Sequence, residues 1–102
     1  MTLHIVETDN QKGLASDQVH ATPLVNTNDV RALLLNLAAG QSVAPCQMPC
    51  TVLYYVIEGQ GSLQVDDEQA RLKTASLTVV PAGAVRAISA AEPMCVLAIQ
   101  RL

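Results

Sequence analysis

Between Gly40 and Gly59 the chain places Cys46, Met48, Cys50 and Val52 at alternate positions, and Arg86 follows the Pro81-Ala82-Gly83 turn by three residues. Successive side chains of an extended strand point to opposite faces, so these four would share one face. Thiolate and thioether are soft donors suited to Cu(I) and, less well, to zinc. A thiolate is also a nucleophile, although cysteine serves as often as a small buried hydrophobe. A guanidinium is a permanent cation whose rigid fork of donors matches a carboxylate. The two histidines, His4 and His20, lie outside this region, so no general base is placed beside Cys46. A Cys46–Cys50 disulfide is not expected. Four extended residues span about 13 Å, whereas a disulfide needs Cα atoms within about 7 Å, and only a sharp bend at Pro49 would close that gap.

Short strands must position these residues. From Val30 onward, apolar runs are separated by turn chemistry at Gly40-Gln41, Glu58-Gly59-Gln60-Gly61, Asp66-Asp67, Pro81-Ala82-Gly83 and Pro93. Pro45 and Pro49 punctuate the stretch that carries the cysteines. This spacing predicts an all-β sandwich or barrel. Residues 1–29 are irregular, with Pro23 and Asn26-Thr27-Asn28-Asp29 as breakers and short strands expected around Leu3–Glu7 and Gln18–Ala21. One segment conflicts with the rest. Asn28 onward offers an N-cap, an early acid, good helix formers and a closing Gly40, which locally favours a helix. The consistently β chain downstream makes Val30–Ala38 a strand instead. Thr51–Ile57 and Met94–Ile99 are apolar on both faces, so the face away from the core needs a second sheet or a second subunit.

Composition narrows the function. At 102 residues the chain is one domain, and half its residues are hydrophobic, enough for an ordinary core. The only aromatic residues are Tyr54 and Tyr55, which argues against stacking platforms for single-stranded nucleic acid. A net charge of −3 with six scattered basic residues argues against binding a phosphate backbone. No apolar run approaches membrane-spanning length. The first residues lack a basic flank and an apolar signal core, so a cytoplasmic location with reduced thiols is expected. Cys95, in the last apolar run, reads as core.

The spacing Gly40, five residues, Cys46, one residue, Met48, three residues, Val52, six residues, Gly59, followed by Pro81-Ala82-Gly83 and Arg86, resembles the two sequence motifs of the cupin family. Its strongest part is Tyr55-Val56-Ile57-Glu58-Gly59 with Pro81-Ala82-Gly83, and it extends over roughly residues 30 to 101. The resemblance implies a double-stranded β-helix, a jelly-roll barrel with its site inside. Residues 1–29 would form an N-terminal arm with short strands, and residues 30–102 the barrel core. It also implies that the face carrying Cys46, Met48, Cys50 and Val52 points inward, with Arg86 projecting inward from the opposite strand. In the family those motif positions hold two histidines, a glutamate and a third histidine around one metal. Here they read Cys46, Met48, Val52 and Arg86: valine cannot coordinate, and arginine sets a fixed positive charge where a cation would sit. The expectation is a barrel with no metal cofactor, binding a small, anionic and partly apolar molecule among Cys46, Met48, Val52, Tyr54 and Arg86, and assembling as a homodimer. Two alternatives stay open. One is a metal-independent isomerase- or lyase-type enzyme using Cys46 and Arg86; the other is a Cu or Zn protein using Cys46 and Met48, with Cys50 as a further candidate donor.

Overall fold

The computed structural model describes residues 5–9 and 18–102. Its strands are β1 (His20–Asn26), β2 (Val30–Leu37), β3 (Ser42–Gln47), β4 (Thr51–Glu58), β5 (Gly61–Val65), β6 (Glu68–Leu72), β7 (Leu77–Val80), β8 (Val85–Ala90) and β9 (Met94–Arg101). They form a five-stranded sheet in the order β1-β2-β9-β4-β7 and a four-stranded sheet in the order β3-β8-β5-β6, and all the pairs whose register is resolved are antiparallel. No described helix is long and apolar enough to cross a membrane.

The segment with helical propensity is β2. Its start is fixed by Thr27, whose hydroxyl accepts hydrogen bonds from the amides of Asp29 and Val30, closing a hairpin where the sequence offered an N-cap. Between β1 and β9, β2 is covered on both sides and on both faces. Leu33, Leu35 and Leu37 pack toward the barrel core, while Ala32, Leu34 and Asn36 are buried on the other face. Such a central strand can be apolar throughout, so tertiary pairing overrides local propensity. The N-terminal expectations need correction. The described part of Leu3–Glu7, residues 5–7, is not a strand, and the strand expected near Gln18–Ala21 runs from His20 to Asn26. Pro23 does not break β1. It sits on an edge strand beside a register shift, and Pro45 lies within the register shift of edge strand β3, the positions where a missing N–H is tolerated.

The core lies between the sheets. Val52, Tyr54 and Val56 of β4 meet Leu63 of β5 and Ile88 and Ala90 of β8, with Leu37, Leu72, Val80, Met94, Val96 and Ala98 around them. Gly59 ends β4 with φ +96°, and a Cβ there would collide with the backbone of Pro93 and Met94. Gly83 also has positive φ, but a Cβ there meets nothing within 4 Å. The two frame glycines are therefore retained for different reasons, close packing at Gly59 and backbone conformation alone at Gly83. Gly59→Ala is expected to cost about 2–4 kcal/mol of unfolding free energy and Gly83→Asn less than about 1 kcal/mol, measured by urea denaturation; equal losses would contradict this packing.

Candidate functional site

Arg86 is the second residue of β8, and its side chain enters the barrel. Alternation along β8 sends Arg86, Ile88 and Ala90 inward and Val85, Ala87 and Ser89 outward. The register sets Cys46 of β3 on one side of Arg86 and Val65 of β5 on the other. The residue is only 2% exposed. Its Nε donates to the Ala84 carbonyl at 3.1 Å, one terminal nitrogen to the Tyr54 hydroxyl at 3.4 Å, and the other to the Pro81 carbonyl at 3.3 Å. All three acceptors are neutral. The two terminal bonds are long beside the roughly 2.9 Å of a well-made N–H···O bond, so the fork that suits a carboxylate holds only weak partners.

Among the described residues, the acids Asp66 and Glu58 are not among its hydrogen-bond partners. Asp66, at the β5–β6 hairpin, accepts from the amide of Val85, which makes it a tie between hairpin and β8. Glu58 lies at the far end of β4, beside Gly59 and Cys95. A buried cation without a carboxylate is costly in an apolar interior.

The first motif departs from its expected geometry. Cys46, Met48, Cys50 and Val52 do not share one strand face, because β3 ends at Gln47 and the chain bends through Met48-Pro49-Cys50 to enter the other sheet at Thr51. Cys46 is exposed on edge strand β3, Met48 and Cys50 are half-buried against the core, and Val52 is fully buried on β4. Proline at 49 is the physical cause, since it favours a turn between the two strands. The loop closes one end of the barrel: the Gly83 amide donates to the Met48 carbonyl at 2.9 Å, and the Gln47 side-chain amide donates to the Gly83 carbonyl at 3.0 Å. Arg86, Tyr54, Met48 and Cys50 thus gather beneath the junction of this loop with the Pro81–Gly83 turn. Val52 belongs to the packed layer below.

One residue at this end was not anticipated. Gln100 of β9 pairs with Val52 on the inward face of the five-stranded sheet, one strand step from the Ala98–Tyr54 pair. It is 9% exposed, and its Oε1 is buried without a hydrogen-bond partner among the described residues. Its place in a mostly apolar terminal run hid it, since only the register reveals that it faces inward. His20 is exposed at the start of β1 and pairs with Asn36, away from Arg86; His4 lies outside the described residues.

The donor set does not fit the metal centre that the family motifs imply. Val52 has no donor atom, Arg86 projects its own cation into the barrel, and Cys46 and Met48 stand on different elements. Among the described residues no three His, Cys, Asp or Glu side chains converge. Three concavities of about 460, 520 and 220 Å³ are present. The first lies against Glu58, Pro93 and Cys95, the second against Ser62, Arg71 and Ser89, and the third against Pro45, Gln64, Asp66, Arg86 and Ala87.

The three thiols differ in access, which sets an order of reactivity. Cys46 is exposed, Cys50 half-buried and Cys95 buried. Timed labelling with a chromogenic disulfide should modify Cys46 first, Cys50 more slowly, and Cys95 only in denaturant. Labelling of Cys95 at the rate of Cys46 in the native state would contradict the burial of β9.

No protein-family model matches the sequence, and no curated protein matches it either. Solved structures do resemble it. A cupin superfamily protein from Desulfitobacterium hafniense aligns at 24% identity over 91% of this chain and 85% of its own, with a TM-score of 0.85. TT1209 from Thermus thermophilus aligns at 20% identity over 97% of both chains, with a TM-score of 0.88. A conserved protein with a double-stranded β-helix domain from Klebsiella pneumoniae aligns at 17% identity over 98% of this chain and 90% of its own, with a TM-score of 0.87. The two-sheet barrel described above therefore has the double-stranded β-helix fold of these structures, and the positions that the motif resemblance assigns to metal ligands hold none of the four usual residues.

Proposed function

We propose that the barrel binds a small carboxylate at the closed end occupied by Arg86, and that it acts as a binding or sensing module. The observation that carries this reading is a guanidinium that is 2% exposed and, among the described residues, meets only neutral oxygens, two of them at long range. A carboxylate entering there exchanges weak neutral acceptors for a charge-assisted fork. It also supplies a counter-charge where the hydrogen-bond partners of Arg86 among the described residues carry none. The unpartnered Oε1 of Gln100 calls for a donor on the same ligand, which points to a hydroxy acid. Met48, Cys50 and Val52 provide an apolar wall for the rest of the molecule. Entry requires the Met48–Cys50 loop to part from the Pro81–Gly83 turn. The two hydrogen bonds between them are few enough for this to happen by local opening.

The test is a thermal-shift and calorimetric screen of α-hydroxy carboxylates, such as lactate and mandelate, beside the matching amides. At saturating concentrations the acids are expected to raise the melting temperature by at least about 3 °C and the amides to leave it unchanged. Arg86→Met should remove the response to the acids, weakening binding at least about tenfold, while the variant keeps a cooperative melt at or above that of the parent. Equal responses to acids and amides, or full retention of binding by the Met variant, would refute the proposal.

A further inference from the structure

The end of the barrel that holds Arg86 carries a second arginine on its inward face. The register aligns Asn26, Arg31, Gln100, Val52 and Val80 in one row across all the strands of the larger sheet. Val52 and Val80 are core residues with 1% and 0% exposure, so the row lies on the inward face. Burial falls away toward β1: Gln100 is 9% exposed, and Arg31 and Asn26 are exposed. The row thus passes from packed core at β7 and β4 to a polar rim at β2 and β1. The next inward row holds Leu33, Ala98 and Tyr54, and the Tyr54 hydroxyl is a partner of Arg86.

Arg31 is held in place there without being neutralised. Its Nε donates at 3.2 Å to the side-chain oxygen of its cross-strand partner Asn26. Among the described residues, the hydrogen bonds of both arginines therefore go to neutral oxygens. Gln100, whose Oε1 is buried with no partner among the described residues, is the direct neighbour of Arg31 on β9. Two strands and one row separate the backbones of Arg31 and Tyr54, about 12 Å. Side chains reaching in from both sides leave a gap that a chain of roughly four or five carbons spans. The acid that shares the inward row of Arg86 lies on the other side. Glu68 joins that row through Val65, but it is exposed on β6, which leads directly into β7, the edge of the larger sheet opposite β1.

We infer that the ligand is a hydroxy dicarboxylate, with one carboxylate on Arg86, its hydroxyl donating to Gln100 Oε1, and the second carboxylate at the rim on Arg31. This rests on the reading of Arg86 as a carboxylate site and adds the residue that selects among hydroxy acids. The two arginines contribute unequally. Arg86 acts in an interior that excludes water, so its charge-assisted bonds are strong and little screened by salt. Arg31 is solvated, so its contact is worth less and weakens as salt rises. Affinity comes from the buried arginine, and preference for a second carboxylate comes from the exposed one.

Calorimetric titration of the full chain with malate and with 2-hydroxybutyrate tests this, because the two differ in a terminal carboxylate against a methyl group. Malate is expected to bind about fivefold tighter at low salt, and the advantage should shrink to within about twofold at about 0.5 M salt. Arg31→Gln, at an exposed position, should bring the two acids to within about twofold of each other at low salt and leave 2-hydroxybutyrate binding unchanged. Arg31→Lys, which keeps the charge but loses the fork, should retain part of the preference. Equal affinities in the parent, or a malate preference that survives Arg31→Gln, overturn the role of Arg31 while the Arg86 site stands. So does an Arg31→Gln chain that loses both acids equally. Binding of neither acid to the parent overturns the Arg86 reading and this inference with it.

Discussion

A single aliphatic layer holds two sheets together in this chain, and any polar group that enters that layer must find its partners there. With no Phe or Trp, the layer is built from Val, Leu, Ile and Met contributed by almost every strand. It leaves little room at its centre, where Val52, Val56, Leu63 and Ile88 are all almost completely buried. Arg86 and Gln100 are the polar side chains that face into it from β8 and β9, and both stand at the same end. Neither is well served by its surroundings: among the described residues the guanidinium meets neutral oxygens only, and the amide oxygen meets none. The polar demand at this end is what supports the proposed binding reading over a barrel that has simply filled with core.

Much of the fold was legible because the turns carry distinctive residues. Gly40, Gly59, Pro81 and Gly83 mark strand ends, and the apolar runs between them become strands nearly as read. The Val30 segment was ambiguous, since its helix-favouring residues are also ones that can be buried on both faces of a central strand, and only pairing with β1 and β9 decides between the two. The prolines were harder to interpret. Pro23 and Pro45 looked like breakers but sit within edge strands at register shifts, where an absent donor costs nothing.

The site was less legible than the fold. Arg86 points inward, the direction that the motif resemblance implied, and there it meets the Tyr54 hydroxyl. The face expected for Cys46, Met48, Cys50 and Val52 rested on unbroken alternation, and Pro49 interrupts it, sending Cys46 and Val52 to different sheets. Gln100 could not be found from sequence, because alternation alone does not say which face of a two-sided apolar strand looks inward. The same two-sidedness of β4 and β9 also raised the question of what covers the outer face. On that face Leu34 and Ala32 of β2 are buried while Leu77 and Val79 of β7 are exposed, so it is covered at one side only.

The central claim is that Arg86 is held ready for an anion, and the guanidinium itself can report on this. In a nitrogen-resolved NMR spectrum of the guanidinium groups, Arg86 should give a distinct, slowly exchanging signal because it is buried. Titration with a hydroxy monocarboxylate is predicted to move that signal, and the Gln100 side-chain amide with it, while the exposed arginines stay unchanged. Movement of the exposed arginines alone, with Arg86 silent to saturation, would contradict the account.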